Sequence, residues 1–323
     1  MAQNVAIIGA GQLGTRHLQG LKSAKLAMNI YVVDNSDNSL DLAKLRYSEV
    51  PENEYEKTIT YVKQLGELPP HLELVIVATS SAPRSLIFNE LIKGKKIKFL
   101  VFEKFLFQTI AEYDEVSNKL REKSIQCWVN CTRRMFPHYL ELKNILSGED
   151  VLAFEVLGSN WGLACNSIHY IDLFAFLTGE QFIEYDLTRL NNEIYSSKRA
   201  GYIEFNGTIL GKSENGCRLN LLCEIDEKVS VIIRITTKNF FIEINEATGV
   251  AFLLSDNEKK DIKVSSLYQS QLTGLLAESL LNNLTCNLPT YQESAALHKQ
   301  ILLPFLEKYN ELAGTASHVC PIT

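Results

Sequence analysis

A glycine-rich turn close to the N-terminus constrains the fold of this 323-residue chain more than any other feature. The apolar run Val5–Ile8 is typical of a fully buried strand, and it leads through Gly9–Gly14 (GAGQLG) into a segment with an apolar helical face. In such a strand–turn–helix unit, Gly9 permits the tight bend, Gly11 lets the backbone approach a pyrophosphate, and Gly14 lets the helix pack against the strand. The turn therefore predicts a dinucleotide-binding site, and the alternative is an ordinary tight turn in a parallel sheet.

An acidic residue follows the next predicted strand. The apolar run Ile30–Val33 ends at Asp34, 20 residues after Gly14. A carboxylate at this position accepts hydrogen bonds from the adenosine ribose and repels a 2′-phosphate, so Asp34 favours NAD over NADP as the cofactor. At the start of the helix, we expect Gln12 and Leu13 to present backbone N–H groups and the positive end of the helix dipole to the phosphates.

Polar residues also follow the two later apolar runs of the first 130 residues. Thr79 and Ser80 come directly after one run, and Glu103 and Lys104 come directly after the other. Because ligands of a doubly wound sheet bind at the carboxyl ends of its strands, we expect Thr79, Ser80 and Glu103 to contact the cofactor. Lys104 is then a candidate catalytic residue, and the alternative is that the Glu-Lys pair is only a surface feature.

Patterning divides the chain into two domains, which its length also favours. We expect a dinucleotide-binding domain over residues 1–130 and a substrate-binding and oligomerisation domain over 131–323, whose last helix is a candidate to pack back on the first domain. Residues 182–264 contain consecutive short strand patterns with turn signals between them, which favour an antiparallel sheet. The predicted class is α/β: an N-terminal Rossmann doubly wound parallel sheet plus a C-terminal α/β domain with a large, mostly antiparallel sheet.

Two adjacent arginines lie at the predicted domain junction. Arg133 and Arg134 follow the boundary directly, and junction clefts are common ligand sites. A pair of guanidinium groups there is able to clamp an anionic or hydroxyl-rich substrate. The alternative is that both arginines form ion pairs between the domains.

A histidine with polar neighbours lies on the next predicted helix. His169 is three residues after Asn166 and three before Asp172, so the three side chains share a helical face. Histidine suits general acid–base chemistry because its ordinary pKa lies near neutrality. We therefore predict that His169 is catalytic and that Asn166, Asp172 and the nearby Trp161 bind substrate; the alternative is a core histidine with a satisfied hydrogen bond.

Composition excludes several classes of partner. The formal net charge is -6, so the chain has no basic excess for nucleic acid. No stretch has the length of uninterrupted apolar sequence that a membrane span needs, and the N-terminus enters a strand without a basic leader, so we expect a cytoplasmic protein. The seven cysteines are odd in number and lack paired zinc-ligand spacing, which indicates reduced thiols and no metal site.

These motifs together resemble the glucose–fructose oxidoreductase and inositol dehydrogenase family (Gfo/Idh/MocA) over nearly the whole chain. The resemblance rests on the glycine turn, the Glu103-Lys104 pair, the Arg133-Arg134-Met-Phe-Pro stretch and the helix with His169-x-x-Asp172. It implies that Lys104 orients the substrate, that His169 takes the hydroxyl proton, and that the chain forms a homodimer or homotetramer. Two positions depart from the family pattern: Phe105 stands where the family has proline after the lysine, and Cys165 stands where many members have aspartate.

Three functions follow from these expectations. The leading one is an NAD-dependent oxidoreductase acting on a secondary hydroxyl of a sugar, cyclitol or nucleotide-sugar derivative. A variant is a redox-neutral reaction such as epimerisation, in which NAD stays bound and is recycled. The rival is a non-catalytic NAD-binding regulator, which the loss of the aspartate at position 165 favours and the presence of Lys104 and His169 opposes.

Overall fold

The computed structural model describes residues 2–225, 228–256 and 258–323, except for the side chain of Ile183. The chain divides into two compact units, and the described helices are, in chain order, α1 (Gln12–Ser23), α2 (Asp37–Ser48), α3 (Ser81–Leu91), α4 (Ile110–Glu122), α5 (Pro137–Ile145), α6 (Leu163–Thr178), α7 (Gln269–Asn283) and α8 (Tyr291–Ala313). Among these helices, none has both the length and the apolar character required to cross a membrane.

The first unit is built on a parallel sheet. Its strands are β1 (Gln3–Ile8), β2 (Met28–Val33), β3 (Lys57–Val62), β4 (His71–Val77), β5 (Lys96–Phe102) and β6 (Gln126–Val129). In the described chain these six strands lie in the order β3-β2-β1-β4-β5-β6, and every neighbouring pair is parallel. The order reverses between β1 and β4, which is the position where doubly wound sheets bind ligands. The predicted Rossmann architecture is confirmed.

Three central strands form the core of this unit. The last four residues of each are buried, in the runs Val5–Ile8, Leu74–Val77 and Phe99–Phe102. Such continuous apolar runs, without alternation, are typical of parallel strands that helices cover on both faces. Because each run ends its strand, the residues that come directly after it lie at the carboxyl edge of the sheet.

Helix α7 belongs to the first unit, although the sequence analysis assigned it to the second domain. The first unit comprises Met1–Phe107, Ala111–Asn130 and Leu267–Gln292. Two small residues allow α7 to approach α1: a Cβ added to Gly274 would lie 2.8 Å from the carbonyl oxygen of Gly20. The packing of α7 on α1 places this helix with the first unit, and the chain passes from the first unit to the second between residues 130 and 131. The division into a dinucleotide-binding and a substrate-binding domain stays a prediction. From Glu293 onward, α8 belongs to the second unit and not to the first.

The second unit contains a larger, mostly antiparallel sheet. Its strands are β7 (Val151–Ser159), β8 (Phe182–Asp186), β11 (Gly207–Ser213), β12 (Arg218–Glu224), β13 (Ile232–Thr237), β14 (Phe241–Asn245), β15 (Val250–Ser255) and β16 (Glu258–Asp261), and a separate ribbon pairs β9 (Tyr195–Ser196) with β10 (Ile203–Glu204). Within the described ranges the strand order is β16-β15-β14-β13-β7-β12-β11-β8, and the β7–β12 pair is parallel. The predicted architecture of the second domain is confirmed.

Helix α6 packs on one face of this sheet, against β7 and β12. It begins after Gly162 and ends before Gly179, both of which adopt positive φ angles that favour glycine. Buried and half-buried residues alternate along β13 and β14. This alternation indicates that the described residues cover one face of the sheet and leave the opposite face exposed or half-buried. Helix α8 continues through Pro304.

Candidate functional site

The glycine turn joins β1 to α1 at the carboxyl edge of the parallel sheet. Gly9 has a φ of +96°, and a Cβ added to Gly14 would lie 1.8 Å from the carbonyl oxygen of Gly9, so both positions require glycine. At Gly11 an added Cβ would meet no described atom within 4 Å. Gly11 is the N-cap of α1 and no described side chain caps this helix, so the N–H groups of its first turn remain available to an anion. Gln12 is exposed there and Leu13 is half-buried.

Asp34 lies beside this turn at the end of β2. Its Oδ2 accepts a hydrogen bond from the backbone N–H of Ala10 at 2.7 Å, and its Oδ1 accepts one from the N–H of Ser36 at 2.9 Å. Each carboxylate oxygen has a further lone pair, and the side chain is half-buried. Asp34 therefore fixes the turn and still offers acceptors to a ligand hydroxyl.

The segment after β4 lies against the other side of the turn. A Cβ added to Gly9 would come within 3.0 Å of the Thr79 methyl group. The Thr79 Oγ1 is buried and has no hydrogen-bond partner among the described atoms, and the N-cap Ser80 makes no side-chain bond to α3. A buried hydroxyl without a partner costs free energy, which a ligand oxygen would recover. The glycine turn, Asp34 and Thr79 thus fit a dinucleotide.

Lys104 follows β5 at the same edge of the sheet and is half-buried. Its peptide bond to Phe105 is cis. The preceding Glu103 is buried, and its Oε1 lies 2.8 Å from His17 Nε2 and 2.5 Å from Asn130 Nδ2. Burial alone would raise the pKa of the Glu103 carboxyl, but the hydrogen bond and charge of His17, with help from Arg84 and Asn130, hold the pKa below its ordinary value.

In the second unit, both junction arginines are paired with carboxylates. Arg134 makes a bidentate pair with Asp172, with N–O distances of 2.7 and 2.9 Å. Arg133 pairs in the same way with Glu246, at 2.7 and 3.0 Å, and also donates to the Tyr170 hydroxyl at 3.2 Å. Two bidentate pairs of this kind are strong and geometrically specific. Both arginines therefore form ion pairs, as the alternative interpretation expected. The partners of both lie within the second unit and not in another domain.

Burial has opposite consequences for the two members of the Arg134–Asp172 pair. Burial raises the pKa of the Asp172 carboxyl to about 6, although the Arg134 charge opposes the shift. Burial would lower the pKa of Arg134, but Asp172 outweighs it and raises that pKa. Asp172 is thus a buried partner of Arg134. Contact of Asp172 or either arginine with substrate stays a prediction.

The N-terminal half of α6 carries the remaining candidate residues. His169 is half-buried, and Cys165, one turn earlier, is buried with its thiol 3.9 Å from the carbonyl oxygen of Ile203. The Asn166 amide donates to the carbonyl oxygen of Trp161 at 2.6 Å. The Trp161 indole donates to the carbonyl oxygen of Leu222 at 2.9 Å. Asn166 and Trp161 therefore fix the loop that leads into α6.

A carboxylate that the sequence analysis did not single out lies at the start of this helix. Glu204 Oε2 accepts from the N–H of Ala164 at 2.8 Å and from that of Cys165 at 3.4 Å. An acid at a helix N-terminus is favoured by the helix dipole. Because Glu204 is about 40 residues away in sequence, no local pattern could have identified this contact.

Comparison with known proteins identifies the first unit. Residues 3–131 match the model of the GFO_IDH_MocA family, described as an oxidoreductase family with an NAD-binding Rossmann fold. This N-terminal segment belongs to the Gfo/Idh/MocA family. No curated protein matched the chain.

Solved structures extend the similarity of fold to nearly the whole chain. UDP-N-acetylglucosamine 3-dehydrogenase GnnA from Acidithiobacillus ferrooxidans has 14% identity and a TM-score of 0.71, covering 94% of this chain and 97% of that chain. Scyllo-inositol dehydrogenase from Lactobacillus casei, with bound NAD(H) and scyllo-inositol, has 15% identity and a TM-score of 0.69, covering 96% and 98%. A super-repressor mutant of Gal80p from Saccharomyces cerevisiae has 12% identity and a TM-score of 0.71, covering 98% and 97%. At these identities the similarity shows the fold.

The first unit brings the predicted cofactor residues together at one sheet edge, at the ends of β1, β2 and β4. Glu103 is the exception, because its carboxylate is bound by buried protein groups. His17 of α1 is completely buried, with its Nε2 against Glu103. In the described ranges no group of three His, Cys, Asp or Glu side chains is placed to hold a metal ion, and none of the seven cysteines forms a disulfide there.

Proposed function

We propose that this protein is an NAD-dependent oxidoreductase that moves hydride to or from a secondary hydroxyl carbon of a sugar, cyclitol or nucleotide-sugar derivative. The observation that carries the proposal is the placement of Lys104 at the carboxyl edge of a sheet whose glycine turn fits a dinucleotide. The family match of residues 3–131 supports the oxidoreductase class.

Asp34 supports NAD as the cofactor. In doubly wound folds a carboxylate at the end of the second strand accepts hydrogen bonds from the adenosine ribose, and its charge would repel a 2′-phosphate. When bound, NAD supplies the hydride acceptor in one direction of the reaction and the donor in the other.

Lys104 and His169 have complementary tasks in this proposal. In the oxidative direction the substrate C–H and O–H bonds break, the carbinol carbon becomes a carbonyl, and the hydroxyl proton passes to the His169 imidazole. The Lys104 ammonium donates a hydrogen bond to the same oxygen, which stabilises the negative charge that develops there. Trp161 and Asn166 hold the start of the helix that carries His169.

The test compares dinucleotide binding with turnover. Absorbance at the reduced-nicotinamide band is followed against a panel of sugars, cyclitols and nucleotide sugars. We expect Lys104→Ala to reduce turnover by about 100-fold or more, the usual effect of removing one such donor, with the NAD dissociation constant nearly unchanged. Lys96→Ala, which removes an exposed lysine from the start of β5, is the matched control. Equal turnover by Lys104→Ala and wild type would reject the proposed role.

A non-catalytic NAD-binding regulator is the second candidate. It is favoured by Cys165, a buried thiol at the position where the family resemblance leads one to expect a carboxylate beside the acid–base histidine. A repressor protein also shares this fold. NAD binding without turnover of any substrate in the panel, by wild type and Lys104→Ala alike, would favour the regulator.

A further inference from the structure

A buried polar cluster in the first unit includes Glu103, the residue that precedes Lys104. His17 of α1 is fully buried, and both of its ring nitrogens have partners. Its Nε2 lies 2.8 Å from Glu103 Oε1, and its Nδ1 lies 2.9 Å from Thr273 Oγ1 of α7. Asn130 completes the cluster by donating to Glu103 at 2.5 Å and to Gln269 Oε1 at 2.8 Å.

Hydrogen-bond accounting fixes the direction of the central contact. The lowered pKa of Glu103 makes it an ionised carboxylate, which can only accept hydrogen bonds. The Nε2 atom of His17 must therefore carry the proton and donate it to Glu103. A buried carboxylate that lost this donor would retain its desolvation penalty without compensation.

A second buried group fixes the chain on the other side of Lys104. Arg84 of α3 is fully buried, and its guanidinium donates to the carbonyl oxygens of Phe105, of Leu106 at 2.7 Å, and of Thr79. The residues on both sides of Lys104 are therefore held by hydrogen bonds. The Glu103 carboxylate is bound by His17, and the carbonyl groups of residues 105 and 106 are bound by Arg84. Fixed neighbours restrict the positions that the backbone of Lys104 can adopt.

We propose that His17 and Arg84 are positioning residues for Lys104, His17 through Glu103 and Arg84 through the carbonyl groups of residues 105 and 106. Neither side chain touches the substrate in this proposal. The proposal rests on the function proposed above for Lys104. A misplacement of about 1 Å by a mutation remote from the chemistry can reduce turnover on the order of 100-fold.

Two variants of His17 distinguish a role of its hydrogen bond to Glu103 from a role of its side-chain volume alone. A glutamine amide reaches the position of the imidazole Nε2 and can still donate to Glu103, whereas an asparagine amide reaches only the position of Nδ1. We expect His17→Asn to lower kcat on the order of 100-fold, and His17→Gln to retain a larger share of kcat than His17→Asn. The NAD dissociation constant should change less than threefold in both. His71→Asn, at an exposed histidine of the same unit, is the matched control.

A readout without substrate distinguishes failure of this proposal from failure of the proposed function. Reductive ¹³C-methylation of the lysines gives one NMR signal per lysine, and the Lys104 signal is the one missing from Lys104→Arg. We expect His17→Asn and Arg84→Lys to move the Lys104 signal, and His17→Gln to leave it closer to its wild-type position. An unchanged Lys104 signal in His17→Asn would overturn the positioning role whether or not the protein turns over any substrate.

Thr273 supplies a second matched pair if His17→Asn does not fold. Thr273→Val keeps the shape of the side chain but removes the hydroxyl that fixes His17 Nδ1, whereas Thr273→Ser keeps the hydroxyl. We expect the Lys104 signal and kcat to change in Thr273→Val and to be nearly restored in Thr273→Ser. Equal effects of the two variants, or a loss of NAD affinity as large as the loss of kcat, would show that the cluster only supports α1.

Discussion

At the residue scale, the proposed cofactor preference depends on the charge of one half-buried side chain, Asp34. Asp34 fastens the glycine turn through Ala10 and retains acceptor capacity for a ribose. Its negative charge is the feature that would exclude a 2′-phosphate.

Removing that charge should change the cofactor preference. We expect Asp34→Ser to shift the ratio of the NADP and NAD dissociation constants by about 10-fold in favour of NADP, which corresponds to about 1.4 kcal/mol. Titration of both dinucleotides by fluorescence measures the ratio. Asp37→Ser, at an exposed aspartate that pairs with Lys63, should leave it unchanged. The same ratio in Asp34→Ser and wild type would contradict the assigned role.

The Arg134–Asp172 pair should make stability depend on pH. The folded-state pKa of Asp172, about 6, is raised above the ordinary value of 3.8, so this group favours folding increasingly as pH falls from about 6 towards 3.8. Arg134→Met removes the cation that opposes the shift, so the native variant keeps its Asp172 proton to higher pH. The stability lost in Arg134→Met should therefore grow by about 1.4 kcal/mol per pH unit above pH 6 and be constant below pH 5.

Denaturant unfolding at pH 5, 7 and 8 measures this difference. Lys143→Met is the control, because Lys143 is exposed and lies over the same Phe176 ring as Arg134. A stability difference between wild type and Arg134→Met that is the same at all three pH values would contradict the assignment.

Sequence reasoning identified residue types more successfully than residue partners. Asp34 could be placed because its partners lie in the adjacent turn. The carboxylates that pair with the two arginines could not, because Glu246 is 113 residues from Arg133 and Asp172 is 38 residues from Arg134. Burial of His17 also depends on α7, which is more than 250 residues away.

At the element scale, the approach of α1 and α7 decides where the buried cluster forms. Continuous apolar runs predicted the central strands β1, β2, β4 and β5, and consecutive strand patterns predicted the antiparallel sheet, whereas β3, β8 and β16 were not predicted as strands. The same patterns predicted α7 as a helix but not its unit, because a helical face does not specify which sheet it will cover. The small residues Gly20 and Gly274 are the local sign of the close packing.

Adding a methyl group at this crossing should destabilise the protein. In Gly274→Ala the new Cβ would lie 2.8 Å from the Gly20 carbonyl oxygen, a backbone atom that cannot rotate away. We expect a loss of about 1–3 kcal/mol in the free energy of unfolding, as for other overpacked sites. Gly66→Ala is the control, because its Cβ would meet no described atom within 4 Å. Equal stability of Gly274→Ala and wild type would show that α7 does not pack this closely.

At the scale of the whole molecule, the uncovered face of the large sheet is the place where we expect a second copy of the chain. This face carries half-buried and exposed apolar side chains on several strands, including Leu157, Ile232, Phe241, Phe252 and Leu254. Contiguous apolar surface of this kind is typical of an interface. A homodimer or homotetramer through this face follows from the family resemblance and stays a proposal.

A charge on this face should dissociate the oligomer. We expect Leu254→Asp to convert the assembly to a smaller one, measured as molar mass by light scattering at micromolar concentration. Leu86→Asp, at a more exposed leucine of α3 in the first unit, should keep the wild-type mass. A wild-type protein that is already monomeric would contradict the proposed interface.

Binding of NAD to the intact protein tests the central claim most directly. Gly11 offers a sharp variant, because its Cβ position is open and its φ of -65° suits any residue, so Gly11→Val should fold with wild-type thermal stability while filling the space of the pyrophosphate. In isothermal titration calorimetry we expect the wild type to bind one NAD per chain and Gly11→Val to lose this binding. Absence of NAD binding by the wild type, or equal binding by Gly11→Val, would contradict the account.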